Sequence, residues 1–125
     1  MRKIIKQEYP FHRVSIKALW IALTSPVQLK EWFAEDVKLE GQEYIFYWDS
    51  MPHEAQIVRV KEYEEIVFQW KEGESEDFFM FRCIQNELTK EITLEITDTC
   101  EESDYDMTLK VWESQIEMLQ RIIGK

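Results

Sequence analysis

The sequence predicts an α+β domain in which a curved antiparallel β-sheet wraps around one long C-terminal helix. Three observations predict it. Residues 37–97 hold a succession of short β-rich segments separated by polar turns. A single strand and two short helical segments precede that region. A long amphipathic stretch follows it, over residues 105–123. Strands that follow one another, with helices set apart at the ends, define the α+β class rather than an alternating α/β sheet. The 125 residues suit one domain with one core.

The elements read as follows. KIIKQEY (3–9) is a strand that Pro10 stops or bends. Ser15 caps a helix over IKALWIALT, with Ile16, Leu19, Trp20 and Leu23 on one face. A break at Thr24-Ser25 separates a second short helix. Ser25 is its N-cap, Pro26 its first position, and Leu29, Trp32 and Phe33 its apolar face. The β region opens near Val37. EYIFYW (43–48) is aromatic-rich, DSMPH turns the chain, and EAQIVRVKEY (54–63) is the next strand. After a tight turn at Glu64-Glu65, IVFQW (66–70) places Ile66, Phe68 and Trp70 on one face. KEGESED is a polar loop, FFMFRCI (78–84) a strand, and QNELTK a turn. EITLEIT (91–97) alternates, with Ile92, Leu94 and Ile96 toward a core and Glu91, Thr93, Glu95 and Thr97 toward water.

The last helix is the strongest pattern. Leu109, Trp112, Ile116, Leu119 and Ile123 recur at spacings of three and four and form one stripe. Ser103 with Asp106 makes a capping-box variant, and Arg121 and Lys125 complement the negative end of the helix dipole. About seven strands must cover this helix. A sheet of that width curls and can grip the helix in its concave face, with side chains filling or lining the space between.

Composition narrows the function. Fifteen basic residues stand against 25 acidic ones, a net charge of -10, with no basic cluster. That balance opposes binding to a phosphate backbone and argues against nucleic acid as a partner. No stretch reaches the roughly 20 apolar residues of a membrane span, and the N-terminus lacks the apolar run of a signal peptide. Cys83 and Cys100 make neither a disulfide framework nor a four-ligand zinc set. These features predict a soluble cytoplasmic protein with reduced thiols, a monomer or homodimer. His12 and His53 read as surface residues, His53 in a hairpin turn, and no metal-ligand spacing exists. No nucleophile has a base beside it, so neither a catalytic residue nor a cofactor is assigned. Cys83 reads as a core thiol, and Cys100 as a free thiol near a turn. Glu35-Asp36, Glu64-Glu65, Glu74 to Asp77 and Glu101-Glu102 read as a solvated rim at turns.

The order of elements resembles the START-like, or Bet v 1-like, helix-grip superfamily. The residues that carry the resemblance are SPVQLKEWFAEDV with Gly41, then FYW (46–48), Ala55 and IVFQW (66–70). S-P-x-x-L-x-x-W-F is similar to the stretch after the first helix in the branch of the Hsp90 ATPase activator homologues. ELTKEITLEITD and LKVWESQIEMLQRIIGK resemble a small bacterial START-like family of uncharacterised function. The resemblance covers nearly the whole chain. It implies that Trp32 and Phe33 plug one end of the curved sheet, and that an internal cavity takes an apolar ligand such as a lipid. Some members of the superfamily are cyclases or hydrolases, and some are chaperone cofactors.

The candidate cavity-lining set is Trp32, Phe33, Phe46, Trp48, Ile57, Arg59, Phe68, Trp70, Phe79, Phe81, Trp112, Ile116 and Leu119. The aromatic members read equally as packed core or as pocket wall, since aromatics dominate both. An inward Arg59 would hold a ligand carboxylate bidentately, but strand alternation leaves its direction open. Three functions follow: a module binding an apolar or amphipathic small molecule, a protein-interaction module, and an enzyme of the cyclase or hydrolase kind. An amphipathic last helix also suits a membrane surface, but its polar face lacks the basic excess that anionic lipid favours.

Overall fold

The structure, a computed structural model, describes residues 1–72 and 77–124. The centre of the expected KEGESED loop and the terminal Lys125 lie outside the described residues. The element order is β1 (Arg2–Phe11), α1 (Ile16–Thr24), α2 (Pro26–Trp32), β2 (Asp36–Glu40), β3 (Glu43–Trp48), β4 (Met51–Lys61), β5 (Glu65–Trp70), β6 (Phe78–Gln85), β7 (Ile92–Glu101) and α3 (Tyr105–Ile123). Among the described residues, the seven strands form one antiparallel sheet in the order β1-β7-β6-β5-β4-β3-β2. The two strands farthest apart in sequence, β1 and β7, are thereby neighbours. Helix α3 packs against both of them, and α1 and α2 close the end of the concave face.

The inner face carries the core. Tyr44, Phe46, Ala55, Ile66, Phe68, Phe79, Phe81, Ile92, Leu94 and Ile96 are buried there against Leu19, Leu23, Leu29, Trp112, Ile116 and Leu119. Burial of this apolar area is the main term holding the layers together. The kink between α1 and α2 is fixed by polar contacts at its carbonyls. Trp32 Nε1 donates to the Ala22 carbonyl at 2.9 Å, and the Tyr44 hydroxyl donates to the Thr24 carbonyl at 2.7 Å. Ser15 caps α1, its hydroxyl accepting from the Ala18 N–H at 3.0 Å. Ser15→Ala is expected to lower stability by about 1 kcal/mol, read from urea denaturation with an unchanged m-value. A loss below a few tenths would mean that the cap contributes nothing.

Several element ends differ from expectation, each for a physical reason. β1 runs through Pro10 to Phe11, with Pro10 opposite Thr93. β1 is an edge strand, where a missing N–H is tolerated. The Pro10 carbonyl in turn accepts from Gln120 Nε2 at 3.0 Å. The DSMPH turn shrinks to Asp49 and Ser50, at φ 52° and 63°. Two left-handed residues make a loop that matches the strand twist, so β4 starts at Met51 and His53 lies in a strand opposite Phe46. Gly41, at φ 65°, makes the left-handed corner between β2 and β3.

β7 continues past Thr97 to Glu101, which places Asp98 and Cys100 within the strand rather than at a turn. Its outer face is not wet: Glu95 is 5% exposed and Thr97 7%. Lys6 Nζ and Arg82 Nη1 stand 3.8 and 3.7 Å from Glu95 Oε1 and cover it. Glu101 belongs to this strand, Glu65 to β5 and Asp36 to β2, so none of the three is a turn residue. The expected capping box at Ser103 does not form. Glu102–Asp104 winds as a 3-10 turn directly into α3, whose N-cap is Asp104 without a side-chain cap bond.

Candidate functional site

The concave face divides into a packed part and an open part. Beneath α1, α2 and the C-terminal half of α3, the space is filled: Phe46, Phe68, Phe81, Ile116 and Leu119 are fully buried core. Trp32 is also buried, and Ile57 packs on the edge of the same cluster. Beside the N-terminal half of α3 a cleft of about 520 Å³ remains, within the usual range of small-molecule sites. Its walls are Phe33, Trp48, Trp70, Phe79, Asp98, Asp104, Met107, Thr108, Val111, Trp112 and Gln115.

Five rings form one contiguous aromatic wall of this cleft, with Phe33 and Phe79 also in direct contact at 5.4 Å. Phe33 to Trp48 is 5.3 Å between centroids, Trp48 to Trp70 6.3 Å, Trp70 to Phe79 5.1 Å, Phe79 to Trp112 6.2 Å and Trp112 to Phe33 5.7 Å. The wall draws on β3, β5, β6, α3 and the end of α2. Strand alternation supplies Trp48, Trp70 and Phe79, all inward. Phe33 is the residue after α2, its N–H bonded to the Leu29 carbonyl at 2.8 Å. Its own carbonyl accepts from Trp48 Nε1 at 3.1 Å and from Gln115 Nε2 at 2.9 Å. One backbone oxygen thus ties the sheet to α3 at the cleft.

Asp98 brings charge to this apolar wall. Its Oδ2 accepts from Trp112 Nε1 at 2.8 Å and its Oδ1 from the Thr99 N–H at 2.7 Å. Burial pushes its pKa above the usual carboxylate value, against the lowering effect of those two donors. The thiols take no part. Burial pushes Cys83 up to about 12, and Cys100 is raised for the same reason, which disfavours the reactive thiolate in both. Among the described residues no group of His, Cys, Asp and Glu could hold a metal ion. No helix among them is long and apolar enough to cross a membrane.

Of the expected lining set, Phe33, Trp48, Trp70, Phe79 and Trp112 meet at the cleft. Trp32, Phe46, Ile57, Phe68, Phe81, Ile116 and Leu119 do not line it; they pack behind it. Arg59 is on the opposite face, where its Nε pairs with Glu65 Oε2 at 2.6 Å and its side chain is 64% exposed. Sequence reasoning missed Asp98, Asp104, Met107, Thr108, Val111 and Gln115. Continuing the β7 alternation from Ile92, Leu94 and Ile96 reaches Asp98. The helical face next to the Trp112 stripe gives the rest.

A wider groove of about 620 Å³ crosses the outer face of the sheet, lined by Ile4, Lys6, Val58, Arg59, Val67, Gln69, Phe78, Met80 and Thr97. It has one aromatic ring, and its two cations are engaged, Lys6 with Glu95 and Arg59 with Glu65. The inner cleft, with rings from four elements of the fold besides α2 and a partly buried carboxylate, is the stronger candidate site.

A curved sheet gripping a long helix, with an aromatic cleft between them, defines a helix-grip protein. The sequence profile of the START-like superfamily domain matches residues 1–125, and the chain belongs to that superfamily. It is similar to the solution structure of BfR322 from Bacteroides fragilis, at 33% identity and TM-score 0.69 over 99% of this chain and 93% of that one. Its fold is also that of the Aha1 dimer from Colwellia psychrerythraea, at 14% identity and TM-score 0.82 over 98% and 96% of the two chains. CalU16 from Micromonospora echinospora matches at 20% identity and TM-score 0.72, over 96% of this chain and 74% of that one. No protein of curated function matches the chain.

Proposed function

We propose that this chain is a cytoplasmic binding module that takes an apolar or amphipathic small molecule, lipid-like in character, in the cleft between the sheet and α3. The contiguous wall of five rings along the cleft carries this reading. Aromatic and aliphatic walls with a few convergent polar groups are the general character of small-molecule sites. No reaction is proposed, because among the described residues that line the cleft no nucleophile has a base beside it.

Native mass spectrometry of the protein purified from cells tests the reading. A one-to-one adduct that leaves on denaturation is the expected result, and the same spectrum tells monomer from homodimer. A bare chain mass, together with no adduct after incubation with excess 1-octanol, would count against it.

A second reading is a protein-interaction module, as the resemblance to the Hsp90 ATPase activator homologues implies. Ile4 and Val58, at 63% and 51% exposure on the rim of the outer groove, favour it. It predicts that charge substitutions at those two positions abolish a protein contact and leave small-molecule uptake unchanged.

A further inference from the structure

The polar groups of the cleft are unevenly matched. Trp48 and Trp112 have already spent their indole N–H groups, on the Phe33 carbonyl and on Asp98. Gln115 has spent an amide N–H on the same carbonyl. Two carboxylates, Asp98 and Asp104, remain on the wall, and each oxygen of Asp98 accepts one hydrogen bond where two are available. A ligand therefore meets these acceptors together with the neutral donors of Trp70 and the second Gln115 N–H and, among the described residues, no cation.

Asp98 is also short of a counter-charge. Among the described residues it makes no ion pair. The charged groups that act on it are Asp77, which repels it, and Arg2, which attracts it but is itself engaged by Asp77 and Glu101. Desolvation disfavours its ionised form, and a cation brought into the cleft would offset that cost. The rings add attraction of the same sign. The faces of Trp, Phe and Tyr attract cations through their quadrupole, Trp most of all, and three of the five rings here are Trp. An anionic head would face two carboxylates and would have only neutral donors, such as the Trp70 indole N–H, to set against them.

We propose that the ligand of this cleft is an organic cation, a protonated amine carried on an apolar body, with its ammonium set between Asp98 and the tryptophan faces. The inference rests on the reading of the cleft as a small-molecule site. It adds the charge and the head-group chemistry of what binds there.

Octylamine, 1-octanol and octanoate share one tail and differ in the head, so tryptophan quenching by the three separates the two claims. Octylamine is expected to bind roughly tenfold or more tightly than 1-octanol, with octanoate weakest. Asp98→Asn is expected to bring octylamine to within about threefold of 1-octanol and to leave 1-octanol unchanged. Glu87→Gln, the same charge change at the distant β6–β7 turn, is expected to leave the preference intact. This control separates a local ion pair from attraction to a net charge of -10. Equal binding of amine and alcohol, or tighter binding of octanoate, overturns the cation and leaves the cleft reading standing. An equal effect of Glu87→Gln and Asp98→Asn overturns it as well. No saturable binding of any of the three sinks both. The wild-type comparison decides alone where Asp98→Asn does not fold.

Discussion

Trp112→Ala is expected to lower the free energy of unfolding by about 3 kcal/mol, toward the lower end of large-to-small aromatic truncations in cores. The indole of Trp112 is 5% exposed and lies within 6.2 Å, centroid to centroid, of Phe33, Phe79 and Phe81. Its loss removes those contacts and takes from Asp98 one of its two hydrogen-bond donors. The partly buried Asp98 carboxylate recovers some of that bond in water, and one side of the indole already borders the cleft rather than packed atoms. Both effects keep the cost below that of a fully enclosed Trp. Trp112→Phe keeps a ring but not the donor, and should cost about 1–2 kcal/mol. Chemical denaturation of the two variants checks the order. A loss under about 1 kcal/mol for the alanine variant would mean that Trp112 does not join α3 to the sheet.

Val111→Trp should do the opposite, sparing the fold and blocking the site. Val111 is 50% exposed on α3 and lines the cleft. Val and Trp have similar helix propensities, so stability should change by no more than about 0.5 kcal/mol. The added indole occupies the cleft, and the affinity for 1-octanol should fall by roughly tenfold or more as the ligand loses its apolar contact area. Unchanged affinity would place the bound molecule elsewhere, with the outer groove the first alternative.

The layout of the fold was legible because its signals are local. Ser15 and Ser25-Pro26 mark the two short helices, and the Trp112–Ile116–Leu119 stripe marks α3, each within one or two turns of chain. Strand ends were less legible. DSMPH and Asp98-Thr99 have the composition of turns, yet most of these residues are held in strands by partners on β3, β1 and β6. Such pairing is long-range and leaves no local trace. The candidate site follows the same rule. Trp48, Trp70 and Phe79 were found because alternation holds along their strands.

Arg59 shows where alternation fails. Counting two residues on from the inward Ile57 would turn it inward, but a bulge between Ile57 and Arg59 inserts Val58 and reverses the parity. Asp98 was missed for the converse reason. The β7 alternation runs one step past the point where polar residues suggest a turn, and that step puts a carboxylate into the cleft. Whether an aromatic side chain packs or lines a space depends on what faces it across the sheet and α3. Phe68 and Phe79 stack at 4.4 Å, yet one is sealed and the other borders the cleft.

The most direct test of the central claim is a two-dimensional proton–nitrogen NMR titration of the protein with 1-octanol, read at the indole N–H resonances. The chain has five Trp, and they sample the fold unevenly. Trp48, Trp70 and Trp112 border the cleft, whereas Trp20 sits against Tyr63 at the closed end, with ring centroids 6.3 Å apart. Saturable shifts are expected at Trp48, Trp70 and Trp112 and none at Trp20. An absence of saturable shifts, or shifts confined to the amides of Val67 and Met80 on the outer groove, would contradict the claim.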